Sequence, residues 1–131
     1  MSAPFFASWF VAVFLVVLGA SHLLRPREWN ELFSELLLER YAGLVVGTLT
    51  LPYGLAILLA HPGWSLGPPS IVTLVGWGWT VKGALYMLQP SLIQRVATRH
   101  LAHPSRMQLA GGGAVLLGGI VLVDLLALRL A

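Results

Sequence analysis

The sequence contains no cysteine, which excludes disulfides, zinc–thiolate centres, iron–sulfur clusters and thiol nucleophiles from within the chain. Charge is almost as scarce. Lys, Arg, Asp and Glu make up 10% of the 131 residues, against about 25% in a soluble domain. The net charge of +3 is spread too thinly to form a nucleic-acid footprint. No nucleophile–base pair or carboxylate dyad stands out, so neither enzymatic activity nor a cofactor is expected. What remains is apolar: 57% of the residues are hydrophobic and the mean hydropathy is +0.82. A chain this short exposes a large share of its surface when folded and cannot hide that much apolar area from water. Lipid is the solvent it calls for.

The apolar residues fall into four runs. Residues 4–24 carry no charge, and 21 residues at about 1.5 Å rise give roughly 31 Å, the thickness of a bilayer core. This run lacks a basic flank before it and meets Arg25-Pro26-Arg27 after it, so it is expected to be a retained span and not a cleaved leader. From Tyr41 to Val81 charge is again absent, but His61-Pro62-Gly63 and Gly67-Pro68-Pro69 are turn signals. They divide the region into spans 41–60 and 70–89, and a fourth span covers 107–129.

The chain repeats itself. Gly19-Ala20-Ser21-His22-Leu23-Leu24-Arg25-Pro26 aligns with Gly83-Ala84-Leu85-Tyr86-Met87-Leu88-Gln89-Pro90 at an offset of 64, with Gly, Ala, Leu and Pro shared. In the second span of each unit the pairing of Gly47 with Gly113 and Leu51 with Leu117 puts the offset at 66. Repeat one is 4–60 and repeat two 70–129. Each has two spans, so the repeats run parallel through the membrane. The expected fold is all-α, an integral membrane four-helix bundle of two parallel two-helix repeats, each with a short interfacial helix.

Segments 25–40 and 90–106 hold Arg25, Arg27, Arg40, Arg95, Arg99 and Arg106, whereas the 61–69 loop has no basic residue other than His61 and the C-terminus has only Arg129. The positive-inside rule makes both segments cytoplasmic and both termini external. Trp29, Leu32, Phe33, Leu36 and Leu37 give the first segment an apolar helical face beside an acidic stripe of Glu28, Glu31, Glu35 and Glu39. Leu92, Ile93, Val96 and Ala97 do the same in the second, where Arg95, Arg99 and His103 follow at intervals of four. Pro26 and Pro90 suit the first turn of a helix. Two readings of the charges stand side by side. Glu31, Glu35 and Glu39 could pair with Arg95 and Arg99, or the glutamates face water while the arginines sit on anionic headgroups.

Ionisable residues inside spans are the usual pointers to function. Lys82 lies roughly 10 Å inside the cytoplasmic boundary, and His22 sits closer to that boundary, at the position Tyr86 occupies in the other repeat; together Lys82, His22, Tyr86 and Gln89 could line a pocket for a lipid phosphate or a small anion. The competing reading is a lysine that snorkels to the interface. Asp124 falls near the outer face, roughly 15 Å from Lys82 along the normal, too far for an ion pair. His100-x-x-His103 is a two-ligand spacing, but two histidines do not make a metal site, and none is expected. Gly43-x-x-x-Gly47 and Ala114-x-x-x-Gly118 are small-residue patterns for close helix packing. Pro52 interrupts the second span, and Trp64, Trp77 and Trp79 lie towards the outer side.

The unit of an apolar span, Gly-Ala-x-x-x-Leu-x-Pro, an amphipathic segment, an arginine and a Gly-containing span resembles the two-span bacterial inner-membrane proteins of the YjeT-like family, here in tandem. The four-span DoxX-like proteins are similar in their Gly-containing first span and Pro-containing exit. The first resemblance implies a bacterial inner-membrane location and transfers no site. Two functional classes follow from the residues: an accessory subunit packing with membrane lipids, another membrane protein or further copies of itself, or a small oligomeric transporter or channel for an anionic solute or lipid at the Lys82/His22 region.

Overall fold

A computed structural model describes residues 2–102 and 105–130, with the side chains of 100–102 left aside. The described residues form six helices: α1 (Ala3–Leu24), α2 (Pro26–Leu38), α3 (Ala42–Ala60), α4 (Pro69–Leu88), α5 (Leu92–Ala102) and α6 (Ser105–Leu130). Four of them, α1, α3, α4 and α6, are long and apolar enough to cross a membrane. Leu24, Leu59, Leu88 and Leu109 lie exposed on them, a surface suited to lipid and not to water. The chain is a small polytopic membrane protein. The spans expected at 4–24, 41–60, 70–89 and 107–129 differ from the helices by at most two residues at any end.

Prolines set the corners. Pro26 follows Arg25, whose backbone leaves the helical region, and the Arg25 N–H still donates to the Ser21 carbonyl, closing the last turn of α1. Gln89 does the same before Pro90, donating to the Leu85 carbonyl. A residue ahead of proline is pushed out of the α region, so each span stops there and a new helix starts in another direction. Between the halves, Gly67 takes a φ of +152°, open to glycine, ahead of Pro68 and Pro69. Pro52 sits inside α3, which continues through it. Its missing N–H leaves the Thr48 carbonyl without its helical donor.

The spans pair across the halves. α1 packs along α6 and α4 along α3, while α1 with α3 and α4 with α6 touch little. α2 packs on α5 at the end opposite the 61–68 loop. Lipid offers no hydrophobic drive between helices, so small residues that admit a close backbone must supply the contact. A Cβ on Gly19 would press on the Gly111 carbonyl at 2.5 Å and the Val115 nitrogen at 2.6 Å. In the other pair, a Cβ on Gly83 would meet the Leu51 nitrogen at 2.6 Å. Gly118 lies against the Val16 nitrogen and Gly54 against the Thr80 nitrogen. Gly47 faces the Gly83 carbonyl as Gly111 faces that of Gly19. Every partner in the second pair is shifted by 64 from its counterpart in the first.

That corrects the register expected for the second spans. The contacts match Gly47 with Gly111 and Leu51 with Val115, at the same offset of 64 as the first spans; Gly113 has open space beside it. Three glycines in a row allow several alignments by identity, and only the helical phase facing α1 selects the first of them.

Beyond the glycines, the main core is Ala7, Val11, Ala12, Leu15, Ile57, Val72, Val121 and Leu125. A bulky residue at a backbone-to-backbone contact has no flexible neighbour to yield. Gly118→Leu and Gly83→Leu are each expected to destabilise the fold by about 1–3 kcal/mol or more. Gly119→Leu, one residue on and beside open space, should stay within about 0.5 kcal/mol. Thermal melting of the detergent-solubilised protein separates the two outcomes.

Candidate functional site

The loosely packed seam between α1 and α3 opens a lateral groove that α4 floors. Its lower part, about 480 Å³, is lined by Phe10, Phe14, Leu18, Leu49, Thr50, Tyr53, Trp79 and Lys82. An upper part of about 380 Å³ continues past Phe10 and Tyr53 to Phe6, Ala56 and Ala60. Four rings form a row along it. Tyr53 stacks on Phe10 at 6.2 Å, Phe10 on Phe14 at 6.2 Å, and Phe14 meets the edge of Trp79 at 4.9 Å. Phe10 and Phe14 are one helical turn apart, which puts both on the groove side of α1.

Lys82 closes the row at the α2/α5 end, six residues before the end of α4 and so about 9 Å inside it. Its ammonium lies 5.7 Å from the centroid of the Tyr86 ring, within cation–π range. No carboxylate among the described residues comes within ion-pair distance of it; the ion pairs described are Arg25–Glu28 at 3.5 Å and Arg27–Glu31 at 3.3 Å, both exposed.

Of the four residues expected to share a pocket, the structure brings Lys82 and Tyr86 together and separates the other two. The His22 Nδ1–H donates to the Leu18 carbonyl at 2.8 Å, and the ring stacks on Trp29 at 3.9 Å. The Trp29 Nε1–H donates to the Ser21 hydroxyl at 2.9 Å. His22 therefore braces the corner between α1 and α2 and turns away from the groove. Tyr86, its counterpart at offset 64, is buried with Ile93 and Ala42 and braces the corner of α4 and α5. Gln89 caps α4 through its backbone, with its side chain exposed and not among the groove-lining residues.

The acidic and basic helices meet, but not through their charges. α5 buries Ile93 and Ala97, and the Gln94 Nε2–H donates to the carbonyls of Glu39 at 2.7 Å and Leu36 at 3.3 Å. Those carbonyls lie at the end of α2, where that of Glu39 also accepts the Ala42 N–H at 3.4 Å, so Gln94 reinforces the helix end from outside. Glu31 pairs with Arg27 on its own helix, and among the described residues no ion pair joins Glu31, Glu35 or Glu39 to Arg95 or Arg99. Gly43 and Gly47 contact Pro90 and Gly83, Gly118 contacts α1, and Ala114 packs at the edge of the core. Among the described residues no cluster of metal-ligating side chains occurs; the His103 residue and the His100 side chain lie outside the description. Asp124 lines a shallow groove between α6 and Pro68, and it forms no ion pair with Arg129.

No protein-family model matches this chain, and neither a curated protein nor a solved structure does.

One polar node escaped the reading of the sequence. Thr73 is fully buried near the start of α4, and its hydroxyl donates to the Gly63 carbonyl at 2.7 Å, with the His61 carbonyl at 3.1 Å. With that proton committed, the His61 Nδ1–H is the donor to the Thr73 Oγ1 at 2.9 Å. The node ties the loop between the halves to the bundle. Thr73→Val would strand a carbonyl and an imidazole N–H, a destabilisation of about 1–3 kcal/mol. Thr73→Ser should retain most of the stability. Melting curves, with the rate of protease cleavage between residues 61 and 68, report both.

Proposed function

We propose that this chain is an accessory membrane subunit, a non-enzymatic bundle that packs with lipids and with a further membrane-spanning helix. The observation that carries the reading is the outer face of α6. Gly111 and Gly118 pack against α1, whereas Gly112, Gly113 and Gly119 have open space where a side chain would stand. Leu116, Ile120 and Val123 flank them, exposed, along a shallow groove. Small residues are unhelpful to a helix that faces only lipid and useful where another helix lies close. A second reading, a transporter or channel for an anionic solute or lipid, is favoured by one observation, the unpaired Lys82 at the mouth of the groove; His22 no longer belongs to it.

Within this proposal the α2/α5 end is cytoplasmic, because it carries the arginines, and the termini with the 61–68 loop are external. The chain is a tandem duplication of a two-span unit of the YjeT-like kind in a bacterial inner membrane. Support for the duplication comes from helix ends at Leu24 and Leu88, and at Leu38 and Ala102, each 64 residues apart, and from the glycine contacts at the same offset.

Two experiments test these readings. Gly112→Leu combined with Gly119→Leu should leave the melting temperature unchanged while shifting the mildly solubilised protein from a larger assembly to the mass of one chain. If the mass of the wild type is already that of one chain, the accessory reading loses its support. Halves 1–64 and 65–131, co-expressed as separate chains, should co-purify, because each span's partner lies in the other half. Independent insertion without association would argue against the exchanged pairing.

A further inference from the structure

We infer that the groove between α1 and α3 is a binding site for one anionic phospholipid, its phosphate on Lys82 and one acyl chain laid along Phe14, Phe10 and Tyr53. The inference rests on the membrane reading of the chain but is independent of any contact made by α6.

Four observations carry it. The groove is open sideways, between spans that pack loosely, so its natural visitor arrives from the bilayer and not from water. Its walls are apolar and aromatic from Leu18 to Phe6, a rise of about 18 Å along α1, which suits a chain and not a compact solute. The site's one charge is a cation at the end nearest the interface, and no carboxylate of the described residues neutralises it. A lysine stem of four carbons at about 9 Å depth reaches the phosphate level of the adjoining leaflet.

Comparison of the two halves sharpens the point. The counterpart of Lys82 at offset 64 is Leu18, which lines the same groove. The bundle therefore accommodates leucine at this register, and packing does not demand a cation here. Its counterparts of Phe14 and Tyr53 are Gly78 and Leu117, so the ring row too belongs to one half's seam. Charge and rings occur together on one side of an otherwise matched scaffold. A snorkelling lysine alone needs no aromatic row, and a row that only packs needs no lysine.

The test uses the full chain, purified in detergent with equal amounts of phosphatidylglycerol and phosphatidylcholine of the same acyl chains, and native mass spectrometry. The expected result is one retained lipid per chain, with phosphatidylglycerol preferred at least about fivefold. Lys82→Leu should melt like the wild type and bind both lipids equally, because the chain still fits and the head is no longer chosen. Leu49→Trp, which fills the groove from α3, should retain neither. Glycerol phosphate at millimolar concentration should displace no lipid. The inference is overturned by equal retention of the two lipids in the wild type, or by an unchanged preference in Lys82→Leu. Displacement by glycerol phosphate would also overturn it, by assigning Lys82 to a soluble anion. Loss of the α6 assembly has no bearing on these masses, so the two proposals fail separately.

Discussion

Backbone approach between exchanged spans is the constraint on which this protein depends. In a bilayer, apolar side chains gain nothing by leaving lipid for one another, and the contact must come from van der Waals packing at short range. Glycine allows it. Gly19 against Gly111, and Gly83 against Gly47, bring helix axes close enough for carbonyl oxygens to face the partner's α-carbon. Because α1 is committed to α6 and α4 to α3, little contact remains for α1 with α3. The groove is the space left by that choice. The tight seams and the open one are two consequences of a single pairing.

The same pairing explains why α2 and α5 meet. Two spans that exchange partners bring their short connecting helices to one end and to one axis. There the contact is made by apolar side chains and by the Gln94 amide, which satisfies the end of α2. The charged stripes are left outward. The acidic helix neutralises part of its own repulsion locally, through Arg25 with Glu28 and Arg27 with Glu31, and such exposed pairs stabilise little.

The four long apolar helices, the corners and the two short amphipathic helices were legible because they rest on one-dimensional signals: the length of an uncharged run, a proline, a helical period. The register between halves was legible only where identities were dense. It failed at Gly111-Gly112-Gly113, where composition is degenerate and only the facing direction discriminates. Position along the helix was legible for Lys82 and His22, since rise per residue fixes it, but azimuth was not. His22 is four residues from Leu18 and shares its broad face, yet its ring is claimed by Trp29 across a proline corner. Nothing local announces that stacking. The groove itself was invisible for a related reason: it is built from Phe10, Phe14, Tyr53 and Trp79, which lie on three helices and are joined only by the exchanged topology. Thr73 and His61 meet across a turn whose path the sequence does not specify.

The exchanged pairing also sets an order on biosynthesis. α3 and α4 are consecutive, so they can associate as soon as both are in the membrane. α1 has no such neighbour: its partner begins at Ser105, and at ordinary synthesis rates that delay is on the order of 5–20 s. For that interval α1 stands in lipid with Gly19 uncovered. A span left waiting must be stable by itself, and α1 is the most apolar of the four and free of Asp, Glu, Lys and Arg. α4, which finds α3 already in place, is the least apolar and carries the lysine. Of these two spans, the one that waits is free of charge, and the one that does not wait carries a cation.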